Sequence, residues 1–221
     1  ATPSTAGTPQ ANYVTSLART IAELGKIGLT VDYCLHHGDC HVDDARNSLV
    51  RRILMTDCTV LVFIDDDVGW RAEDFIKHIK REEKIVAGVY PLKQDSPVDF
   101  PVRVPNNTAL QAKANGLVEV EGAPTGFMAI KRDVLETMTG INRKRSYRAR
   151  GVSDDEPLHT IVFERTLGDG HRWSGDYNFC RQWRKIGGQV FVDPEMVFSH
   201  RGSKQWEGSL GDFWREQHGV F

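Results

Sequence analysis

The sequence predicts an α/β domain with a mostly parallel central sheet flanked by helices, and three observations carry that prediction. Strand-like and helix-like runs alternate through residues 1–90, the pattern of parallel strands joined by right-handed helical crossovers. The run Thr59–Ile64 (TVLVFI) is apolar without alternation, as expected of a central parallel strand covered on both faces. With 221 residues, 40% of them apolar, the chain can bury one large core.

The elements follow in order. Residues 1–10 (ATPSTAGTPQ) are rich in Pro, Thr, Ser and Gly and read as a loop. Such a fold normally opens with a strand, so a first strand is expected to be missing from the start of this sequence. Val14, Leu17, Ala18, Ile21 and Leu24 recur at helical spacing, with Asn12 or Thr15 as candidate caps and Gly25 and Gly28 as stops. Leu29–Leu35 (LTVDYCL) alternates like a strand and the next nine residues, HHGDCHVDD, read as a polar turn. Asp43 or Asp44 then caps a helix with a Leu49, Val50, Ile53, Leu54 stripe. After the TVLVFI strand come a helix near Ala72–Arg81 and a strand at Ile85–Val89. Residues 90–116 form a Pro- and Asn-rich excursion that includes Asn106 and Asn107. Leu117–Val120 and Gly126–Ile130 read as strands, and Arg132–Met138 as a helix. A polar, basic loop is expected over 140–156. Asp176–Ile186 reads as a helix with Phe179, Cys180, Trp183 and Ile186 inward, and Val190–Val192 as a strand.

Composition excludes several classes. Lys plus Arg is 28 against 30 for Asp plus Glu, a net charge of −2 that disfavours a general nucleic-acid binder. No apolar run is long enough to span a bilayer, and four cysteines in a chain of this length do not make a disulfide scaffold. No basic segment followed by an apolar one opens the sequence, so no secretion signal is read and a cytoplasmic location is expected. Cys34, His36, His37, Cys40 and His41 lack the paired spacing of a structural zinc site.

The most informative residues are Asp65, Asp66 and Asp67, directly after TVLVFI. Ligands of open α/β sheets bind at the carboxyl ends of the strands. If the extended geometry persists, Asp65 and Asp67 point to one side and Asp66 to the other. Two carboxylates on one side suit Mg²⁺ or Mn²⁺, completed by phosphate oxygens. The alternative is a solvated acidic turn capping the next helix.

Three segments in order, FIDDD, GAPTGFMAIKRDVLETM and SGDYNFCRQWRKIGGQVFVDPEMVFSHRG, resemble the GT-A class of nucleotide-sugar-dependent glycosyltransferases over about Thr2–Gly208. The resemblance implies one GT-A-like domain, with a nucleotide-binding part over about 1–90 and an acceptor-side part over about 91–221, and a smaller mixed sheet packed on the main one. It implies a Mn²⁺ or Mg²⁺ ion bridging the enzyme to a nucleoside diphosphate sugar such as a UDP-sugar. The acceptor would be a hydroxyl of a glycan, a lipid-linked sugar or another molecule. The DxD of the class falls on Asp65 and Asp67, with Asp67 the better metal ligand, Asp65 nearer the donor ribose and Asp66 in the donor site. His200, in SHRG, stands where similar enzymes place their last metal ligand; imidazole nitrogen favours Mn²⁺ over Mg²⁺. Asp176 stands where inverting members keep a general base, with Gly175-Asp176 in place of the usual pair of acids. A base must lie within hydrogen-bond reach of the attacking hydroxyl, whereas an acid at a helix start is also stabilised by the helix dipole alone.

Further donor contacts are expected by the same likeness or by position. Thr2, Pro3 and Ser4 are placed at the nucleotide base and Asp39 in the loop after the second strand. Arg46 is placed at a phosphate or the base, or is a simple surface charge. Gly126 suits close backbone approach to the sugar, or an ordinary turn. Lys204 could close over the donor, with Trp206 stacking on an acceptor sugar or packing the tail. The basic run Arg143, Lys144, Arg145, Arg148, Arg150 folds over the diphosphate, meets an acidic acceptor or is a solvated loop. The competing functions are a sugar nucleotidyltransferase, whose Arg-containing glycine-rich loop STAGTPQ lacks, and a nucleotide- or carbohydrate-binding protein with a degenerate transferase site.

Overall fold

The computed structural model describes residues 1–105, 110–148, 153–168 and 170–218. Asn106, Asn107 and Arg150, read above as loop residues, lie outside them. The elements in chain order are β1 (Thr2–Ser4), α1 (Ala11–Lys26), β2 (Leu35–His37), α2 (Val42–Leu54), β3 (Val60–Ile64), β4 (Val68–Gly69), α3 (Ala72–Ile79) and β5 (Ile85–Ala87). Then follow β6 (Val118–Val120), β7 (Phe127–Lys131), α4 (Arg132–Ile141), a 3-10 turn at Arg143–Arg145, β8 (Ser146–Tyr147) and β9 (His159–Thr160). The chain closes with β10 (Thr166–Gly168), β11 (His171–Trp173), α5 (Gly175–Lys185), β12 (Val190–Val192), β13 (Val197–Arg201), β14 (Gln205–Ser209) and α6 (Leu210–His218).

The mostly parallel central sheet is not there. The largest sheet has five strands in the order β3-β7-β5-β12-β6. Only β5 and β12 run parallel in it; β3 and β5 both pair antiparallel with β7, and β6 pairs antiparallel with β12. Smaller sheets accompany it: β14-β13-β4, all antiparallel, and the pairs β1-β2, β8-β9 and β10-β11. The reason for the difference is in β3 itself. Leu61 and Phe63 enter one buried apolar cluster while Val62 and Ile64 enter another. Both faces are covered, which is what an unalternating apolar run reports. Burial on two faces does not encode strand direction, and here an antiparallel neighbour supplies the same environment.

β7 divides in the same way, Met128 and Ile130 to one cluster and Phe127 and Ala129 to the other. The second cluster holds an aromatic group in which Trp70, Phe75 and Phe198 surround Phe127 at centroid distances of 5.8, 6.2 and 4.9 Å. This packing fixes β3 and therefore the acidic turn that leaves it.

Local differences have local causes. Thr2–Ser4 are not a loop after a missing strand: they form β1, parallel to β2, and the Ile64 N–H donates to the Ala1 carbonyl at 3.0 Å. The second strand is three residues long and includes His36 and His37, which the polar-turn reading had excluded. The α1 cap is Gln10, without a side-chain cap bond, because the Asn12 amide is used elsewhere. The helix runs past Gly25 and stops before Gly28, whose φ of 70° suits glycine. On α5, Phe179 and Cys180 are buried as expected, whereas Ile186 caps the helix and is 48% exposed.

Candidate functional site

β3 ends in a turn. The Val68 N–H donates to the Asp65 carbonyl at 3.2 Å, so the chain bends at Asp66–Asp67 before β4. The extended geometry does not persist, and Asp65 and Asp67 take different partners, although each lies within the other's field. Each of the three carboxylates has its own partners. Asp65 accepts from Arg46 Nη2 at 3.3 Å and from the Tyr90 hydroxyl at 3.1 Å. Asp66 accepts from the Ser4 hydroxyl. Asp67 pairs with Lys93 Nζ through Oδ2, and its Oδ1 lies 3.4 Å from His200 Nε2. These partners offset the mutual repulsion of three adjacent acids beside an apolar strand.

The inner half of the site is built around Arg46, 3% exposed on α2. It bridges Asp65 to Asp176, which comes from the first turn of α5, 130 residues further along. The Thr125 N–H donates to the second Asp176 oxygen at 3.2 Å. Burial alone would lower the Arg46 pKa, but Asp176 and Asp65 raise it, so the guanidinium stays charged. The acids outnumber it. Asp43 packs over Gly175, where any Cβ would strike the Asp43 carboxylate, and Asp43 also pairs with the half-exposed Arg165 at 3.3 Å. Burial pushes the Asp65 and Asp43 carboxyls up despite the pull of Arg46. Burial and the adjacent Asp65 hold the Tyr90 phenol well above its usual range. Gly126 is required by this pocket, since a Cβ there would collide with the Tyr90 hydroxyl and the Asp65 carboxylate.

The outer half joins opposite ends of the chain. β4 pairs with β13, setting His200 across from Val68, and the Arg201 N–H donates to the Asp67 carbonyl at 2.9 Å. The Asn12 amide donates to the carbonyls of Asp67 at 3.0 Å and Ser199 at 3.1 Å, stitching α1 to both strands. Gly69 leaves the room this needs, because a Cβ there would sit 2.5 Å from Ser199 Oγ. His200 Nδ1 lies 2.8 Å from the Pro91 carbonyl, which can only accept, so Nδ1–H donates to it and the ring is held with Nε2 toward Asp67. The imidazole meets the Tyr90 ring edge-to-face at 4.7 Å. Burial would raise the Asp67 pKa, but hydrogen bonds from His200 and Lys93 take it below the usual carboxylate range.

The remaining predicted residues lie around this core. Thr2 is buried, its hydroxyl 2.5 Å from that of Tyr13. Pro3 is buried in β1 and Ser4 serves Asp66 and, at 3.0 Å, the Gly7 N–H. Asp39 accepts from the His41 N–H at 3.1 Å in the loop before α2. Lys204 pairs with Asp95, which also accepts from the Trp206 indole at 2.9 Å. Arg145 pairs with Glu164 and Arg148 with Asp154. Arg46 does not face outward to a phosphate; its buried guanidinium is committed to two carboxylates. Among the described residues, no three His, Cys, Asp or Glu side chains converge as a metal site: Asp67 and His200 do meet, while Asp65 turns to Arg46.

Asn12, Asp43, Tyr90 and Lys93 belong to the site but were not singled out from the sequence. Tyr90 and Lys93 follow β5, and position after a strand's carboxyl end is the signal that could have found them. Asn12 read as a cap. A cavity of about 860 Å³ is lined by residues of α1, residues 29–34 and β3 and contains none of these acids. Among the described residues, no helix is long and apolar enough to cross a membrane.

No protein-family description matches the sequence, and no curated protein matches it. The fold is similar to the crystal structure of A197 from STIV, with a TM-score of 0.54 and 18% identity over 95% of this chain and 88% of that one. At that identity the likeness shows the fold alone.

Proposed function

We propose that the chain is a metal-dependent glycosyltransferase moving a sugar from a nucleoside diphosphate sugar to a hydroxyl acceptor. One observation carries the reading: Asp67 and His200, 133 residues apart in the chain, meet after the carboxyl end of β3, with Nδ1 held on the Pro91 carbonyl and Nε2 facing the carboxylate. A carboxylate oxygen and an imidazole nitrogen fit Mn²⁺ better than Mg²⁺, and a backbone carbonyl on the other ring nitrogen is how ligating histidines are oriented. Asp67 and His200 would hold the cation, in place of the Lys93 ammonium that now balances Asp67. When bound, the ion supplies positive charge against the departing diphosphate.

The protein's own groups do the rest. Arg46 and the Thr125 N–H fix the Asp176 carboxylate while each of its oxygens retains a lone pair for an incoming donor. Asp176 takes the acceptor's hydroxyl proton as that oxygen attacks the anomeric carbon, with inversion. Asp65, held by Arg46 and Tyr90, is placed to accept from a donor hydroxyl.

The test is nucleotide release from a panel of UDP-, GDP- and dTDP-sugars with Mn²⁺. Slow release is expected, abolished in Asp67→Ala; Asp176→Asn should keep donor binding and lose transfer to an added acceptor. Absence of both binding and release across the panel would overturn the reading. A second reading, a nucleotide- or carbohydrate-binding protein with a degenerate site, is favoured by Lys93 seated on Asp67 and by Asp65 turned to Arg46. It predicts a thermal shift with nucleotide but no turnover.

A further inference from the structure

Beside Asp176, two aromatic rings close on one exposed arginine. The Arg103 guanidinium carbon lies 4.6 Å from the Trp173 ring centre and 4.7 Å from that of Tyr177. Its backbone is tied to a neighbouring segment. Arg103 forms a bridge with Gly122, its N–H donating to the Gly122 carbonyl at 2.8 Å, and its own carbonyl accepts from the Glu121 N–H at 2.8 Å. Gly122 has to be glycine, because a Cβ would lie 2.8 Å from Tyr177 Cδ1. The Trp173 indole donates to the Gly168 carbonyl at 3.1 Å.

A guanidinium packed between rings spends its faces on them and keeps its N–H groups, which lie in its plane, for a ligand. Arg46, Arg51, Arg81, Arg132 and Arg145 are each paired with an acid. Among the described residues Arg103 has no ion pair and no hydrogen bond through its guanidinium. Its nearness to Asp176 follows from the chain, since Tyr177, whose ring Arg103 covers, is the residue after Asp176 in the first turn of α5. Burial and Asp176 push the Tyr177 phenol up to about 12, while Arg103 pulls against them. One ring thus lies within the field of both groups.

We propose that Arg103, clamped by Trp173 and Tyr177, binds an oxyanion, a carboxylate or phosphate, on the acceptor whose hydroxyl is presented to Asp176. The word acceptor rests on the transferase reading; the anion site does not. A planar fork aimed by stacking suits a two-oxygen group and discriminates against a neutral sugar, which offers no charge to meet it.

Isothermal titration at low ionic strength tests this with three probes: methyl glucuronide, glucose 6-phosphate and methyl glucoside. One of the anionic probes should bind at least about tenfold more tightly than the neutral one, and which one does so separates carboxylate from phosphate. Arg103→Ala should bring that affinity down to the neutral level, and Arg103→Lys, which keeps the charge without the fork, should weaken it by about threefold or more. Equal binding of all three probes overturns the proposal, as does undiminished anion binding in Arg103→Lys, the variant that decides the matter should Arg103→Ala unfold. UDP, GDP and dTDP with Mn²⁺ are titrated in parallel. Failure of all three nucleotides to bind counts against the transferase reading, whereas the Arg103 comparison judges the anion site separately.

Discussion

The two halves of the site solve the same electrostatic problem in opposite ways. Around Arg46, partly exposed acids from α2, β3 and α5 are neutralised from within by a cation that is itself buried, its side chain 4% exposed. Around Asp67, neutralisation comes from Lys93, whose side chain is 34% exposed, and from the edge of an imidazole. The first arrangement is permanent, since an unpaired buried charge costs several kcal/mol. The second is exchangeable, since a partly exposed pair is worth only about 0.2–1 kcal/mol. A site that must hold its carboxylates still and yet accept a cation needs both kinds.

The largest test of the comparison is Arg46→Met. It leaves Asp65 and Asp176, whose side chains are 26% and 20% exposed, without their buried cation, and unfolding in urea should show a loss of about 3 kcal/mol, the low end for breaking a buried pair. A loss below about 1 kcal/mol would mean that water at the two partly exposed acids replaces the guanidinium and that Arg46 is not the fixed cation of the inner half.

His78 sharpens the contrast, being as buried as Arg46 yet without a carboxylate to spare. Asp193, the nearby acid, is paired with Arg81 at 2.7 Å and Lys77 at 3.0 Å. Burial therefore pushes the imidazole down to about 4. Because the folded pKa lies below the unfolded one, the stability this contributes is present above pH 6.5 and is lost as pH falls toward 4. The loss amounts to about 3 kcal/mol. His78→Phe should flatten the stability profile across that window; an unchanged slope would assign the acid sensitivity to other groups.

The smallest effect belongs to the outer half. Lys93→Met removes the ammonium that competes for Asp67, so Mn²⁺ binding, followed by electron paramagnetic resonance, should tighten about two- to fivefold with almost no change in stability. Weaker binding in this variant would show that Lys93 helps to hold the ion's ligands and does not compete with it.

Much of the fold was legible residue by residue. Apolar spacing located α1, α2 and α5 to within a few residues, because an amphipathic face is written in the spacing of its apolar side chains, and α3, α4 and β12 also lie where the sequence placed them. TVLVFI was correctly read as covered on both faces, yet its pairing was read as parallel. Thr2–Ser4 were read as loop and His36–His37 as turn, after a strand placed over Leu29–Leu35, because a three-residue strand is defined by its neighbour and not by its own pattern. In the site, Asp67 and His200 were named from the sequence and the structure brings them together. Arg46 was also named, but as an outward-reaching cation, since nothing in RNSLV tells that its guanidinium will be enclosed.

What the sequence determined by itself is which residues are acidic, which segments bury an apolar face, and that carboxylates follow a doubly covered strand. Those are properties of short stretches of chain, set by side-chain chemistry and backbone period. The tertiary structure alone decided strand direction, the turn that sends Asp65, Asp66 and Asp67 to three different partners, and the enclosure of one arginine between acids that are far apart in sequence. Each of these depends on what packs against the segment. The free energy that selects among the alternatives lies in long-range burial and charge pairing, to which no local pattern is sensitive.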